Sequence, residues 1–334
     1  MYCDFYHFSE KPFNITPDPK FLFLGPTHGE SLSSLIYGIR ERRGFIVIMG
    51  EVGTGKTLLI NTAIERLDGD TEIACINNPA MTFLQILNMA LFEFGIANPD
   101  EKLSKELAIH RLNDFVIRQL ASGGNVVLVV DEGQGLDLQS LENIRLLSNL
   151  ETAKQKLLQI IISGQPELDA ILRTPELRQL AQRISIKRYL MPLDEKETYA
   201  YLKHRLSIAN YKGSHLFERS AMKLIWEHSD GIPRKINVLC DNALLMGYAT
   251  GVKKITYKII EEAIHDICWS PFLGPDETRP DETRPDETRT VRIRDNKEKR
   301  NKITFYLLLQ ILTVSLLVAG CIVIVAWLFI GNQI

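Results

Sequence analysis

One run of nineteen residues restricts the fold of this chain more than any other. Phe45-Ile46-Val47-Ile48-Met49 is a short apolar stretch with strand character. Gly50-Glu51-Val52-Gly53-Thr54-Gly55-Lys56-Thr57 follows at once, and Leu58 to Ala63 continues as a helix. Glycines at these spacings let the backbone turn tightly, so that successive N–H groups and the start of the helix face one point. Such a cradle suits phosphate oxygens. Lys56 would then reach the β- and γ-phosphates and the Thr57 hydroxyl would ligate Mg²⁺, with the backbone from Gly50 to Leu58 wrapped around the polyphosphate.

Further acidic and polar groups end other apolar runs. Asn125 to Val130 (NVVLVV) reads as a central parallel strand and ends in Asp131-Glu132. In that position Asp131 would hold Mg²⁺ and Glu132 would polarise the attacking water. The acidic pair favours hydrolysis over phosphoryl transfer to a small acceptor. Lys156 to Ser163 reads as another buried strand, ending at Ser163-Gly164-Gln165-Pro166. Ser163 and Gln165 are both candidates for sensing the γ-phosphate, with turn chemistry as the alternative. Glu176 to Arg183 reads as a helix leading into strand-like Ile184–Leu190. Arg178 or Arg183 could reach a neighbouring subunit's γ-phosphate, although helix arginines also serve simply as solvated surface.

Charge is distributed unevenly. The 334 residues carry 39 Lys+Arg against 41 Asp+Glu, a formal net of -2. Residues 303–334 contain no charged side chain, and Phe305 to Ile330 is apolar enough, at about 39 Å as a helix, to span a bilayer. Seven basic residues (Arg289, Arg292, Arg294, Lys297, Lys299, Arg300, Lys302) against Asp295 and Glu298 precede this run, which orients the flank to the cytoplasm. Three consecutive PDETR repeats (275–289) come before the flank and read as an extended tether, about 45 Å if drawn out. Residues 1–288 are left with a net charge of -7, which argues against nucleic acid as the main partner. The five cysteines (Cys3, Cys75, Cys240, Cys268, Cys321) form no CxxC pair and read as free thiols. The seven histidines show no metal-ligand spacing, so Mg²⁺ accompanying nucleotide is the only metal implied.

The motifs also occur in a particular order. The stretch from Lys11 to Phe23 (KPFNITPDPKFLF), His28, Leu35-Ile36-Tyr37-Gly38-Ile39, the glycine loop and Asp131-Glu132 come first. Ser163 to Leu168, Leu177 to Ile184 and Gly231-Ile232-Pro233-Arg234-Lys235-Ile236-Asn237 follow. From about Met1 to Asp266 this order resembles the AAA+ ATPases of the general secretion pathway protein A (ExeA) family, whose relatives serve pilus biogenesis and exopolysaccharide systems. The glycine loop and the acidic pair are generic, whereas the PFxxTPDPxF and GxPRxIN stretches are much more specific.

The resemblance implies an α/β fold. A P-loop AAA+ αβα parallel-sheet domain with its N-terminal motif would occupy residues 1–190, and a helical lid residues 191–268. A linker with the basic segment would take 269–302 and a single transmembrane helix 303–331. It implies ATP and Mg²⁺ as ligands, Arg183 before Arg178 as the arginine finger, and Arg234 as the lid arginine that senses the nucleotide. The TPDP stretch is expected near the adenine, with His28 either helping there or purely structural. The expected partners are copies of the chain itself in a hexamer-like ring, membrane proteins of an envelope complex, and the bacterial inner membrane. The ATPase would lie on the cytoplasmic side of a single-pass anchor. The family's periplasmic peptidoglycan-binding domain is not carried over, because four residues follow the apolar span; an exopolysaccharide or pilus system gains weight accordingly.

The function expected is therefore a membrane-anchored ATPase that drives assembly or operation of an envelope secretion, pilus or exopolysaccharide export system. Two alternatives belong to other classes. One is a DNA-linked regulatory ATPase like those of transposition, for which Arg40, Arg42 and Arg43 form the best surface, if they are not merely an exposed helix end. The other is a nucleotide-gated scaffold with little turnover.

Overall fold

Five parallel strands form one sheet in the order β2-β3-β4-β1-β5: β1 Phe45–Gly50, β2 Thr71–Ile76, β3 Asn125–Val130, β4 Gln159–Gly164 and β5 Ile184–Leu190. The computed structural model describes residues 1–267 apart from 68, 78–80, 100, 153 and 154. The three inner strands are buried at every residue, as expected for uninterrupted apolar runs covered on both faces. The edge strand β5 (ISIKRYL) alternates exposed and half-buried residues up to Leu190. β1 is in register with β4 from Phe45↔Ile160 to Met49↔Gly164, and β3 pairs with β4 from Val127↔Gln159 to Val130↔Ile162. The tips of β1, β3 and β4 therefore reach the same end of the sheet.

Among the described residues, eight helices accompany the sheet region or precede it: α1 Tyr2–Tyr6, α2 Pro26–Arg40, α3 Lys56–Glu65, α4 Phe83–Glu93, α5 Lys105–Ala121, α6 Leu138–Leu147, α7 Glu167–Leu172 and α8 Arg178–Arg183. Odd-numbered β1 residues (Phe45, Val47, Met49) pack with α4, α5 and α6, whereas Ile46 and Ile48 pack with Leu32, Leu35 and Ile39 of α2 and Leu59 and Ile60 of α3. The alternation of Cβ directions along a strand thus builds one core on each face. Four helices follow the sheet: α9 Glu195–Ile208, α10 Arg219–Ser229, α11 Pro233–Ala249 and α12 Tyr257–Ile267. Reciprocal hydrogen bonds between Asp194 and Glu197 start α9, and Pro233 takes the first position of α11, where a missing N–H costs nothing.

Two expectations change. The strand expected from Lys156 begins at Gln159, because Lys156 forms an antiparallel bridge with Glu151 instead. The helix expected from Glu176 is a 3-10 turn, Pro175–Leu177, before α8 begins at Arg178. The N-terminal segment also departs from its assignment to the sheet domain. Tyr2, Tyr6, Phe8 and Phe13 are buried with Leu202, Ile225, Ile236 and Leu244, so this segment completes the core of the helical layer. Tyr2 donates its hydroxyl hydrogen bond to Asp241 of α11. Aromatic rings so early in the chain find their apolar surface more than two hundred residues away.

Among the described residues no helix is long and apolar enough to cross a membrane. The apolar run at 305–330, the basic flank, the PDETR repeats, Cys268 and Cys321 lie outside the described residues. Cys3, Cys75 and Cys240 are free thiols.

Candidate active site

At the tip of β1 the backbone enters the glycine loop. A Cβ on Gly50 would meet the Leu190 carbonyl oxygen at 2.7 Å, and Gly53 and Gly55 take φ of +85° and +101°, so side chains are excluded by contact at one position and by conformation at the others. Thr54 is buried; its hydroxyl donates to the Glu51 carbonyl at 2.8 Å and its own carbonyl accepts from His28 Nε2 at 2.9 Å. His28, from α2, is thus a strut beneath the loop. Val52 and Glu51 are exposed on the loop's outer side, Lys56 opens α3, and Thr57 and Leu58 continue it.

Lys56 is only 5% exposed, and its ammonium donates to the carbonyls of Gly50 at 2.9 Å and Glu51 at 3.1 Å. Burial pulls its pKa below the usual lysine value, while the negative charges of Glu132 and Asp131 oppose that shift. Thr57 Oγ1 donates to Asp131 Oδ2 at 2.5 Å. The other Asp131 oxygen accepts from the buried Ser163 hydroxyl and, at 2.9 Å, from the Glu132 backbone N–H. Gln165 Nε2 donates to Glu132 Oε2 at 3.2 Å. Residues read separately on three strands therefore form one hydrogen-bonded group. Ser163 reaches the Asp131 carboxylate and Gln165 reaches that of Glu132.

A cleft of about 450 Å³ opens above this group. Its walls include Lys56, Thr57 and Glu132 on one side and Asn14 to Asp18 with Arg234 on the other. The TPDP stretch therefore lines the same cleft as the glycine loop. Three wall residues escaped sequence reading: Tyr201, Arg205 and Asn237. The buried Arg205 guanidinium bonds to the carbonyls of Pro12 and Asn14 and lies 4.6 Å from the Phe21 ring, so α9 grips the N-terminal stretch. Asn237 belongs to the GIPRKIN stretch and accepts from the Tyr201 hydroxyl at 2.8 Å. The sequence signal for Arg205 is one basic residue in the run Lys203-His204-Arg205, which fits a solvated helix face equally well.

Arg234, the second residue of α11, packs against the glycine loop. Its backbone N–H donates to the Gly53 carbonyl at 3.2 Å, and a Cβ on Gly53 would lie 2.6 Å from Arg234 Cβ. The two finger candidates differ sharply. Arg183 NH1 donates to Asn149 Oδ1 at 2.7 Å, to the Ser148 hydroxyl and to the Arg145 carbonyl, so it closes the end of α6. Arg178 is exposed, and its side chain forms no hydrogen bond or ion pair among the described residues. The arginine placed second by resemblance is therefore the one presented outward.

Residues 39–172 match the family described as an AAA domain. The chain is 41% identical over 267 residues to general secretion pathway protein A of Aeromonas hydrophila, covering 80% of this chain and 48% of that protein. Residues 39–172 thus carry an AAA domain, and the chain is similar to that secretion-pathway protein well beyond it. It spans about half the length of this relative. Two solved AAA-type folds are similar at 17% identity. The ORC2 protein of Aeropyrum pernix has a TM-score of 0.56, covering 74% of this chain and 71% of that one. Cdc6p of Pyrobaculum aerophilum has a TM-score of 0.59, covering 76% and 72%. At that identity the likeness concerns the fold alone. The chain has a glycine loop, an acidic strand end and a helical layer around one cleft, and these residues fit ATP with Mg²⁺. A buried lysine, a hydroxyl already aligned with a carboxylate, and an α3 N-terminus face the same space.

Proposed function

We propose that this AAA protein is a membrane-anchored ATPase that hydrolyses ATP in a ring and drives assembly or operation of a bacterial envelope system, of the secretion, pilus or exopolysaccharide export class. The observation that carries the catalytic part is the contact of Thr57 with Asp131, with Glu132 and Lys56 lining the same cleft. Lys56 and the backbone N–H groups of the loop hold the polyphosphate of the substrate. Thr57 and Asp131 would hold Mg²⁺, which when bound neutralises phosphate charge. Glu132 orients a water and takes its proton as the water attacks. Ser163 fixes the Asp131 carboxylate, and Gln165 fixes that of Glu132. Arg234, whose helix starts on the glycine loop, passes the state of the nucleotide to the helical layer.

The envelope role rests on similarity to general secretion pathway protein A. The anchor rests on the charge-free stretch 303–334 behind its basic flank, which favours a single pass through the inner membrane with the ATPase cytoplasmic. The DNA-linked alternative is the weaker one, since part of its basic surface is engaged within the chain. Arg42 donates to the carbonyls of Gly123 and Gly124, and Arg43 donates to the Tyr37 hydroxyl at 2.7 Å.

Purified full-length protein is expected to release phosphate from ATP in a Mg²⁺-dependent manner, and EDTA is expected to abolish it. Lys56→Ala is expected to weaken binding of a fluorescent ATP analogue by at least about 100-fold, since two or more charge-assisted contacts are lost. Wild-type affinity in that variant would remove the phosphate cradle from the site. For the ring, Arg178→Ala is expected to lower turnover by roughly 10³-fold, as for other arginine fingers. Mixing it with Glu132→Gln subunits is expected to restore part of the activity, because a contact in which the Arg178→Ala subunit supplies Glu132 and the Glu132→Gln subunit supplies Arg178 is complete. Arg183→Ala is expected to act mainly on stability, through the end of α6. Full activity from a strictly monomeric species would overturn the shared site.

A further inference from the structure

A glutamine between the acidic strand end and the β4 tip has no part in the assignments above. Asp131-Glu132 is followed by a 3-10 turn, Gly133–Gly135, and Glu132 itself adopts φ 55°, ψ 38°. This left-handed step sends Gln134 back toward the carboxylate two residues before it. Gln134 Nε2 donates to Glu132 Oε2 at 2.6 Å, and Gln134 Oε1 accepts from the Gln165 backbone N–H at 3.0 Å. The amide orientation is fixed by chemistry: a backbone N–H can only donate, so the oxygen must face Gln165 and the NH₂ must face Glu132. Space for this arrangement is built in. A Cβ on Gly164 would lie 2.9 Å from Gln134 Oε1, and one on Gly133 would lie 2.5 Å from Ile162 Cγ2.

We propose that Gln134 is a positioning residue for hydrolysis, which holds the Glu132 carboxylate by one oxygen and ties its orientation to the β4 tip. The inference rests on Glu132 being the group that activates water. With Oε2 accepting from both Gln134 and Gln165, Oε1 is the oxygen left to face the cleft, and rotation about the terminal torsion of Glu132 is blocked. That torsion is otherwise broad for a glutamate. A general base must be held within hydrogen-bond reach of its proton, and loss of such placement costs rate rather than binding. The Gln134 bond to the Gln165 backbone also couples this orientation to the loop that carries Ser163, so a shift at one carboxylate is felt at the other.

Two variants in the full-length protein separate this role from a structural one. Gln134→Ala removes both bonds. Gln134→Glu keeps an acceptor for the Gln165 N–H but replaces the donor to Glu132 with a like charge. Both are expected to lower kcat by roughly 10- to 100-fold, while the dissociation constant of a non-hydrolysable ATP analogue stays within about two-fold. Should Gln134→Glu retain wild-type kcat, the bridge to Gln165 alone matters and the proposal is overturned. An equal loss of analogue binding in Gln134→Glu would overturn it as well, by marking a general collapse of the site. The Glu132→Gln protein is measured alongside. If that variant turns over ATP normally, the assignment of Glu132 fails; if it is inactive while both Gln134 variants are normal, only the role of Gln134 fails.

Discussion

Replacing Glu132 with glutamine is expected to lower the rate of phosphate release by 10²- to 10⁴-fold while ATP stays bound, the range for removing a positioned general base. The substitution is close to isosteric and removes a proton acceptor without removing a partner. Glu132 Oε2 accepts amide hydrogens from Gln134 at 2.6 Å and Gln165 at 3.2 Å. A glutamine at 132 can present its own carbonyl oxygen to the same two donors, so the side chain keeps its place. Thr57, Asp131 and Ser163 remain as they are, because their bonds involve Glu132 only through its backbone N–H. Single-turnover chemistry separated from nucleotide binding is the appropriate measurement. Near-normal turnover would move the water-activating role elsewhere in the cleft and with it the case for an ATPase of this type. A stable ATP-bound state in this variant is also what the mixed-subunit experiment needs, since inactive subunits must still enter the assembly.

The parts of this site that could be read in the sequence are those encoded in contiguous residues. The glycine loop is legible because three strand, loop and helix signals follow one another within nineteen positions. Asp131-Glu132 is legible because an apolar run stops abruptly on two acids. Ser163 and Gln165 are flagged by the same logic, but which carboxylate each one serves depends on β3 and β4 lying side by side, a pairing that local periodicity does not specify. The ordering β2-β3-β4-β1-β5 places residues 131 and 163 within bonding distance although 32 positions separate them.

Gln134 escapes for a subtler reason. Its role depends on a left-handed glutamate, a conformation that sequence pattern does not predict for a non-glycine residue. Arg183 and Arg178 look alike on paper, five positions apart on one short helix. The end of α6, with Ser148 and Asn149, decides which of them is engaged within the chain. The resemblance likewise groups the aromatic N-terminus with the sheet domain, whereas its rings are satisfied by the apolar faces of α9 to α11. In each case the missing information is a long-range contact between side chains whose local propensities are ordinary.

Gly231→Ala is expected to be the most destabilising single methyl that can be added to the helical layer. Asp230 and Gly231 adopt φ of 53° and 68°, so two successive left-handed residues turn the chain from α10 to α11. The left-handed conformation alone costs a non-glycine residue about 1–2 kcal/mol. The larger effect is contact: an ideal Cβ at 231 would lie 1.9 Å from the Leu193 carbonyl oxygen and 3.1 Å from the Leu193 nitrogen. These are backbone atoms, so no rotamer change relieves the overlap. The Gly231 carbonyl itself accepts from the Leu193 N–H at 2.9 Å, so the two segments cannot separate without losing that bond. Together these effects are expected to remove at least about 3 kcal/mol and lower Tm by roughly 6–12 °C. ATP turnover is expected to fall as well, because Gly231 precedes Ile232, Pro233 and Arg234, and any retreat from Leu193 draws the start of α11 away from the Gly53 carbonyl. Gly29→Ala provides the comparison. It lies in α2, where an added Cβ meets nothing within 4 Å, and is expected to be neutral or to stabilise by up to about 1 kcal/mol. Equal melting temperatures for the two variants would mean that the turn between α10 and α11 yields freely, and that Arg234 is not held on the glycine loop by the backbone geometry described here.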